Sequence, residues 1–220
     1  MRLLAHQVRL KQQLSQVRFP FYIYWGMGSG KTIGGLLCIF SLLSEGETAL
    51  VICDKSICEQ WRKELQKVRV SKIGESAQNI EIVITHYETL DCEDAIDPAG
   101  VSVVVIDEAH RFRNAWHTMS HRMLGWIAWL ERCDRLIYMS GTPIVHDGDI
   151  EMAAFRRLMQ SESNEDMVGR VSYYDPRTDS RSQHHYAQTR HVCIEVPMSW
   201  AQTFLYLEHR RQSFRLVLGE

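Results

Sequence analysis

The stretch YWGMGSGKT, Tyr24 to Thr32, carries the residue types that hold a polyphosphate. Gly28 and Gly30 permit backbone conformations and close approaches that a side chain would block. The amides of Gly28, Ser29, Gly30 and Lys31 can then converge on one anion, at the positive end of the helix that follows. The Lys31 ammonium would reach the outer phosphates, and the Thr32 hydroxyl would complete a magnesium site. The usual pattern sets a glycine five positions before Gly30, and Trp25 fills that slot here. This changes the entry to the loop and removes none of its donors. The bland alternative is a glycine-rich turn beside a surface lysine.

A second cluster decides between them. VVVIDEAH, Val103 to His110, ends an apolar run with two carboxylates and an imidazole. A carboxylate at the C-terminal end of a parallel strand faces the crevice where such sheets bind ligands. Asp107 is therefore expected to hold Mg²⁺, directly or through water. Glu108 follows at a position where a base can orient and deprotonate an attacking water. The two clusters together imply ATP, or a related triphosphate, with Mg²⁺.

Three further groups stand at the ends of apolar runs. Ser140, Gly141 and Thr142 can hydrogen-bond the Asp107–His110 segment and relay the state of the nucleotide. Lys55 and Ser56 open a helical pattern whose N-terminus suits a backbone phosphate, although a plain cap by Asp54 or Ser56 is the alternative. Thr85, His86 and Tyr87 are a second candidate contact to a nucleic-acid backbone. His117 and His121 share a helical face, but HTMSH lacks the glutamate of a zinc-protease helix, so no metal beyond Mg²⁺ is expected.

These groups need strands to carry them. Apolar runs rich in β-branched and aromatic residues occur at 21–25, 48–54, 80–86, 101–108, 135–141 and 191–196. Several lack a strict period of two, which suits strands covered on both faces. Helical patterns lie between them at Lys31–Leu43, Ser56–Val68, His117–Arg132 and Asp149–Met159. Alternating strand and helix predicts an α/β fold, a doubly wound and mostly parallel sheet.

The chain resembles superfamily 2 helicases and translocases, and within them the Swi/Snf-like group, over most of its length. LLAHQVRL is similar to the group's upstream segment, LVICDKSICEQWRKEL and IVITHYETL to its next two, VVVIDEAHRFRN to its acidic motif, and RLIYMSGTPIVHD to the motif after it. The resemblance implies a RecA-like ATPase lobe and a role for Gln7 in reading adenine, with Gly26 and Met27 joining Gly28 to Thr32 around the nucleotide. It also makes His110 part of the catalytic set with Lys31, Asp107 and Glu108. It departs at His6, which takes a tyrosine slot, at Asp54, which replaces a proline and would repel a phosphate unless turned away, and at His146 and Asp147.

The resemblance implies a DNA translocase, with duplex DNA as partner. The alternatives are a strand-separating helicase on DNA or RNA, and a nucleotide-sensing module with little catalysis. Such motors place ATP between two lobes. The expected organisation is an ATP-binding lobe at 1–160, a polar insertion or irregular excursion at 161–190, and a final strand and linker helix at 191–220 toward a second lobe absent from the chain. Without that lobe's arginines, near-inactivity is expected.

Bulk properties agree. The 220 residues are 45% apolar and 24% charged with a net charge of −2, an ordinary globular composition without a global basic field. No apolar run approaches the ~18 residues that cross a bilayer, and the N-terminus is too polar for a secretory signal, so a soluble intracellular protein is expected. The six cysteines form no C-x-x-C pair and are expected to be reduced.

Overall fold

The computed structural model describes residues 3–70, 80–88, 100–114, 128–142, 155–161 and 169–176. All lie in a compact unit spanning Met1–His185, and a second unit, Tyr186–Glu220, falls outside the described residues.

Six strands form one sheet: β1 Phe21–Trp25, β2 Thr48–Cys53, β3 Glu81–His86, β4 Val103–Asp107, β5 Leu136–Ser140 and β6 Val171–Tyr174. Their order is β3-β2-β4-β5-β1-β6, and every pairing is parallel. The helices are α1 Ala5–Gln13, α2 Lys31–Leu42 and α3 Cys58–Val70. The doubly wound parallel sheet expected from the alternating pattern is the fold observed.

Both sheet faces are covered, which is why β4 and β5 are buried at every residue. Alternation along β1 sends Ile23 and Trp25 into the cluster shared with Leu10, Leu36, Ile39 and Trp61, from α1, α2 and α3. Tyr22 enters the opposite cluster with Ile106, Tyr138 and Leu158.

The described residues differ from the sequence reading at three places. β6 lies inside the stretch 161–190 expected to be irregular, so the sheet continues past residue 160. It is an edge strand with only Tyr174 fully covered, and pairing with β1 makes it a strand more than its own apolar content does. The expected strand at 191–196 lies outside the described residues. Helix α1 escaped notice because the side chains it buries include His6 and Gln7. The helix expected from Ser56 begins instead with a 3₁₀ turn, Lys55–Ile57, before α3. His117, His121, His146 and Asp147 also lie outside the described residues.

Candidate nucleotide-binding site

The glycine-rich loop joins β1 to α2, as the sequence required. Gly28 and Gly30 hold φ of 72° and 78°, the left-handed region that favours glycine. Gly30 is the residue before α2, so the first helical amides open toward the loop. Ser29 is buried, and its Oγ is the one buried side-chain polar atom with no hydrogen-bond partner among the described residues. An orphaned hydroxyl in a glycine-rich loop that opens a helix fits a polyphosphate that would satisfy it. Thr32, at the second position of α2, is half-buried, while Met27 at the loop tip is 78% exposed.

Lys31 Nζ sits 3.5 Å from the Gly26 carbonyl oxygen. A Cβ added at Gly141 would stand 3.2 Å from Lys31 Nζ and 3.3 Å from the Trp25 carbonyl, so the ammonium lies over the end of β5. Asp107 pairs with Met139 on β5, and Met139 pairs with Ile23 on β1. The carboxylate and the loop strand are therefore two strands apart, roughly 10 Å across the sheet, with the ammonium reaching between them. The Lys31 charge pulls the Asp107 pKa down.

Asp107 is nevertheless raised from 3.8 to about 6, because burial disfavours its charged form and Glu108 adds a like charge. Trp61 Nε1 donates to its Oδ2 at 2.9 Å and the Glu108 amide to its Oδ1 at 3.0 Å. A buried carboxylate whose charge burial penalises and a nearby cation would stabilise is suited to a magnesium ligand.

Glu108 adopts φ of 54°, a strained value for a residue with a side chain. The turn brings its Oε2 to 3.1 Å from His110 Nδ1, and the Ser140 hydroxyl donates to it at 3.4 Å. Ser140 Oγ also lies 3.0 Å from His110 Nδ1 and accepts the Thr142 amide at 3.0 Å. Thus Glu108, His110, Ser140 and Thr142 share one network, and Gly141 gives Lys31 its room.

Gln7 is buried beneath the loop. Its Oε1 accepts the Leu4 amide at 2.9 Å, and its Nε2 donates to the Gly30 carbonyl at 3.4 Å. Both ends of the amide thus serve α1 and the loop. Gly26 donates to the Tyr174 carbonyl at 2.8 Å, which fixes the loop entry to β6.

Several supports were not anticipated. His6 Nε2 lies 2.8 Å from the Ser29 carbonyl oxygen, and its ring stacks on Tyr174 at 3.7 Å and meets Trp25 edge-on at 4.5 Å. Trp25, in the slot of the missing glycine, packs its ring against Gly34 and donates Nε1 to Ser172 Oγ at 3.0 Å. The departures at residues 6 and 25 are thus one aromatic layer under the loop. Their joint deviation from the pattern was the signal available in the sequence.

Lys55 and Ser56 are exposed on the 3₁₀ turn after β2. Thr85 is buried, its carbonyl accepting from the Cys53 and Cys58 thiols, while His86 pairs with Glu88 at 2.9 Å. Tyr87 donates to the Asp107 carbonyl at 2.6 Å. Asp54 forms an ion pair with Arg111. Cys38, Cys53, Cys58 and Cys133 are free thiols.

The model of the family described as Type III restriction enzyme, res subunit, matches residues 4–145. The chain is 25% identical over 150 residues to the DNA repair and recombination protein RAD54 of Oryza sativa subsp. japonica, covering 55% of this chain and 15% of that protein. It is 26% identical over 153 residues to the DNA repair and recombination protein RAD54B of Gallus gallus, covering 59% and 16%. The chain therefore spans about a sixth of the length of these relatives. Among solved structures, the Pyrococcus furiosus Hef helicase domain superposes with a TM-score of 0.58 at 16% identity, over 84% of this chain and 41% of that one, a likeness of fold. No helix among the described residues is long and apolar enough to cross a membrane. With a family model over most of its length and the helicase sheet beneath it, the chain belongs to the family described as Type III restriction enzyme, res subunit, and is an N-terminal lobe of the superfamily 2 helicase type.

Proposed function

We propose that this lobe binds ATP with Mg²⁺ and is the first half of a motor that hydrolyses ATP to step along duplex DNA. The observation that carries the reading is the shared position of Lys31 and Asp107 at one end of the sheet, with Ser29 orphaned in the loop between β1 and α2. Two curated relatives whose names describe DNA repair and recombination favour DNA.

Bound Mg²⁺ would supply charge neutralisation of the phosphates and of Asp107. The protein's own part is division of labour. The loop amides and Lys31 hold the phosphates, while Thr32 and Asp107 offer oxygen ligands to the metal. Glu108 is positioned as the base for water, and its hydrogen-bond partners His110 and Ser140 keep it oriented. Ser140 reaches the Thr142 amide, so a change at Glu108 is transmitted to the segment after β5. Lys55, Ser56, Thr85, His86 and Tyr87 form the proposed DNA face.

A second lobe would supply the arginines that contribute ~10³–10⁵ in rate, so the 220 residues alone are expected to hydrolyse ATP very slowly. The test is ATP turnover by the chain with and without its second lobe, in the presence of duplex DNA, single-stranded DNA or RNA. Duplex-stimulated turnover only with the second lobe, abolished by Glu108→Gln while ATP stays bound, is expected. Unchanged turnover in Glu108→Gln, or robust turnover by the lobe alone, would refute the assignment.

A further inference from the structure

Asp54 stands where the resemblance leads one to expect proline, beside the candidate phosphate contacts Lys55 and Ser56. A carboxylate there should repel a nucleic-acid backbone. Instead it is engaged: its Oδ1 accepts from the Arg111 guanidinium. Arg111 belongs to the 3₁₀ segment Ala109–Asn114 that follows β4, and its Cζ lies 5.0 Å over the Tyr87 ring. Because β3, β2 and β4 are adjacent in the sheet, the segments after them lie side by side, ~5 Å apart. Lys55, Ser56, Tyr87 and Arg111 therefore share one edge.

We propose that Arg111 is a phosphate-binding residue of this chain, and that Asp54 occupies it from within as a stand-in for phosphate. This rests on the reading of that edge as a nucleic-acid face. A planar guanidinium offers the same two-pronged donor geometry to a phosphate as to a carboxylate. The pair is accessible, with side chains 45% and 27% exposed, and partly exposed ion pairs hold weakly, so a backbone phosphate can displace the carboxylate. The Tyr87 ring keeps the guanidinium on the edge when Asp54 lets go. The same edge repeats the arrangement once: His86 Nδ1 is paired with Glu88 Oε2. Carboxylates of the chain itself thus occupy cationic or donor groups that phosphates would use. The exchange reaches the nucleotide side as well, because the Tyr87 hydroxyl is bonded to the Asp107 carbonyl.

The test measures binding of a short fluorescent DNA duplex by the full chain across a salt series, with single-stranded DNA and RNA probes in parallel. Asp54→Asn is expected to bind about 3- to 10-fold tighter than the parent. Arg111→Gln should bind more weakly, with a log–log salt slope shallower by about 0.9 on duplex or about 0.7 on single strands, one phosphate's share. In the double variant the Asp54→Asn gain should vanish, since Arg111 is its route. Persistence of the gain without Arg111 would reduce Asp54 to general repulsion and overturn the exchange, as would no gain at all in a variant with parental circular dichroism. Asp54→Ser serves in place of the amide if that variant does not fold. Binding by the parent with no effect of Asp54 sinks only this proposal. Absence of binding to every probe by parent and Asp54→Asn alike sinks the nucleic-acid reading with it.

Discussion

At Asp107, burial raises the carboxyl to about 6, more than Trp61, Lys31 and the Glu108 amide can reverse. The folded chain therefore keeps this proton to higher pH than the unfolded chain, whose carboxyl titrates near 3.8. Between those values the folded state binds more protons, so stability falls as pH rises through the window, and the cost persists above it. Its ceiling is ~3 kcal/mol. Asp107→Asn removes the charge but also one accepted hydrogen bond, which returns ~1 kcal/mol. In metal-free buffer this variant should melt above the parent at neutral pH, and the advantage should disappear near pH 4. Thermal melts over that range check the sign. Gly141 offers a second local test. Its added methyl group would press on Lys31 Nζ and the Trp25 carbonyl without entering a left-handed conformation. Gly141→Ala should weaken ATP affinity about tenfold while the unfolding midpoint moves little, as a titration with fluorescent ATP and a denaturant curve would reveal.

Between β1 and α2 the sequence departs from the common loop, and the structure makes the departure local. Trp25 is fully buried, and a Cβ on Gly34 would lie 2.7 Å from its ring. Restoring the usual glycine with Trp25→Gly should therefore destabilise the chain by ~3–5 kcal/mol, through the cavity and the lost bond to Ser172. Gly34→Ala should cost ~1–3 kcal/mol by overpacking the same contact. Urea denaturation measures both. This also shows what a sequence can and cannot reveal. Strands β1, β2, β4 and β5 were legible because near-continuous burial demands continuous apolar runs, and β3, an edge strand with only Thr85 buried, by its β-branched run. The Lys31 and Asp107 motifs were legible because phosphate and metal chemistry demands fixed spacing. β6 was not: Tyr173 is 62% exposed, Ser172 spends its hydroxyl on Trp25, and a partner strand from far upstream defines it. The Asp54–Arg111 pair was hidden likewise, since nothing in the residue types brings the ends of β2 and β4 together.

Across the whole molecule, the lobe is closed by its last described segment. Arg170 is buried, donating Nε to the Pro20 carbonyl at 3.2 Å and its guanidinium to the Met159 carbonyl, and its own carbonyl accepts the Tyr22 amide at 2.8 Å. A boundary at residue 160 would cut β6 away and bare the edge of β1 beside the nucleotide loop. A fragment ending there is expected to lose ATP binding and to self-associate, because an open strand edge is a template for pairing. Size-exclusion chromatography and an ATP titration of the 1–160 fragment against the full chain test this.

That dependence fixes an order of events during synthesis. Translation delivers the glycines and Lys31 early, yet the carbonyl that anchors Gly26 belongs to Tyr174, which emerges more than a hundred residues later. At ~5–20 residues per second the interval lasts roughly 7–30 seconds. A nascent chain thus owns the whole glycine-and-lysine motif well before it owns the strand end that anchors its entry.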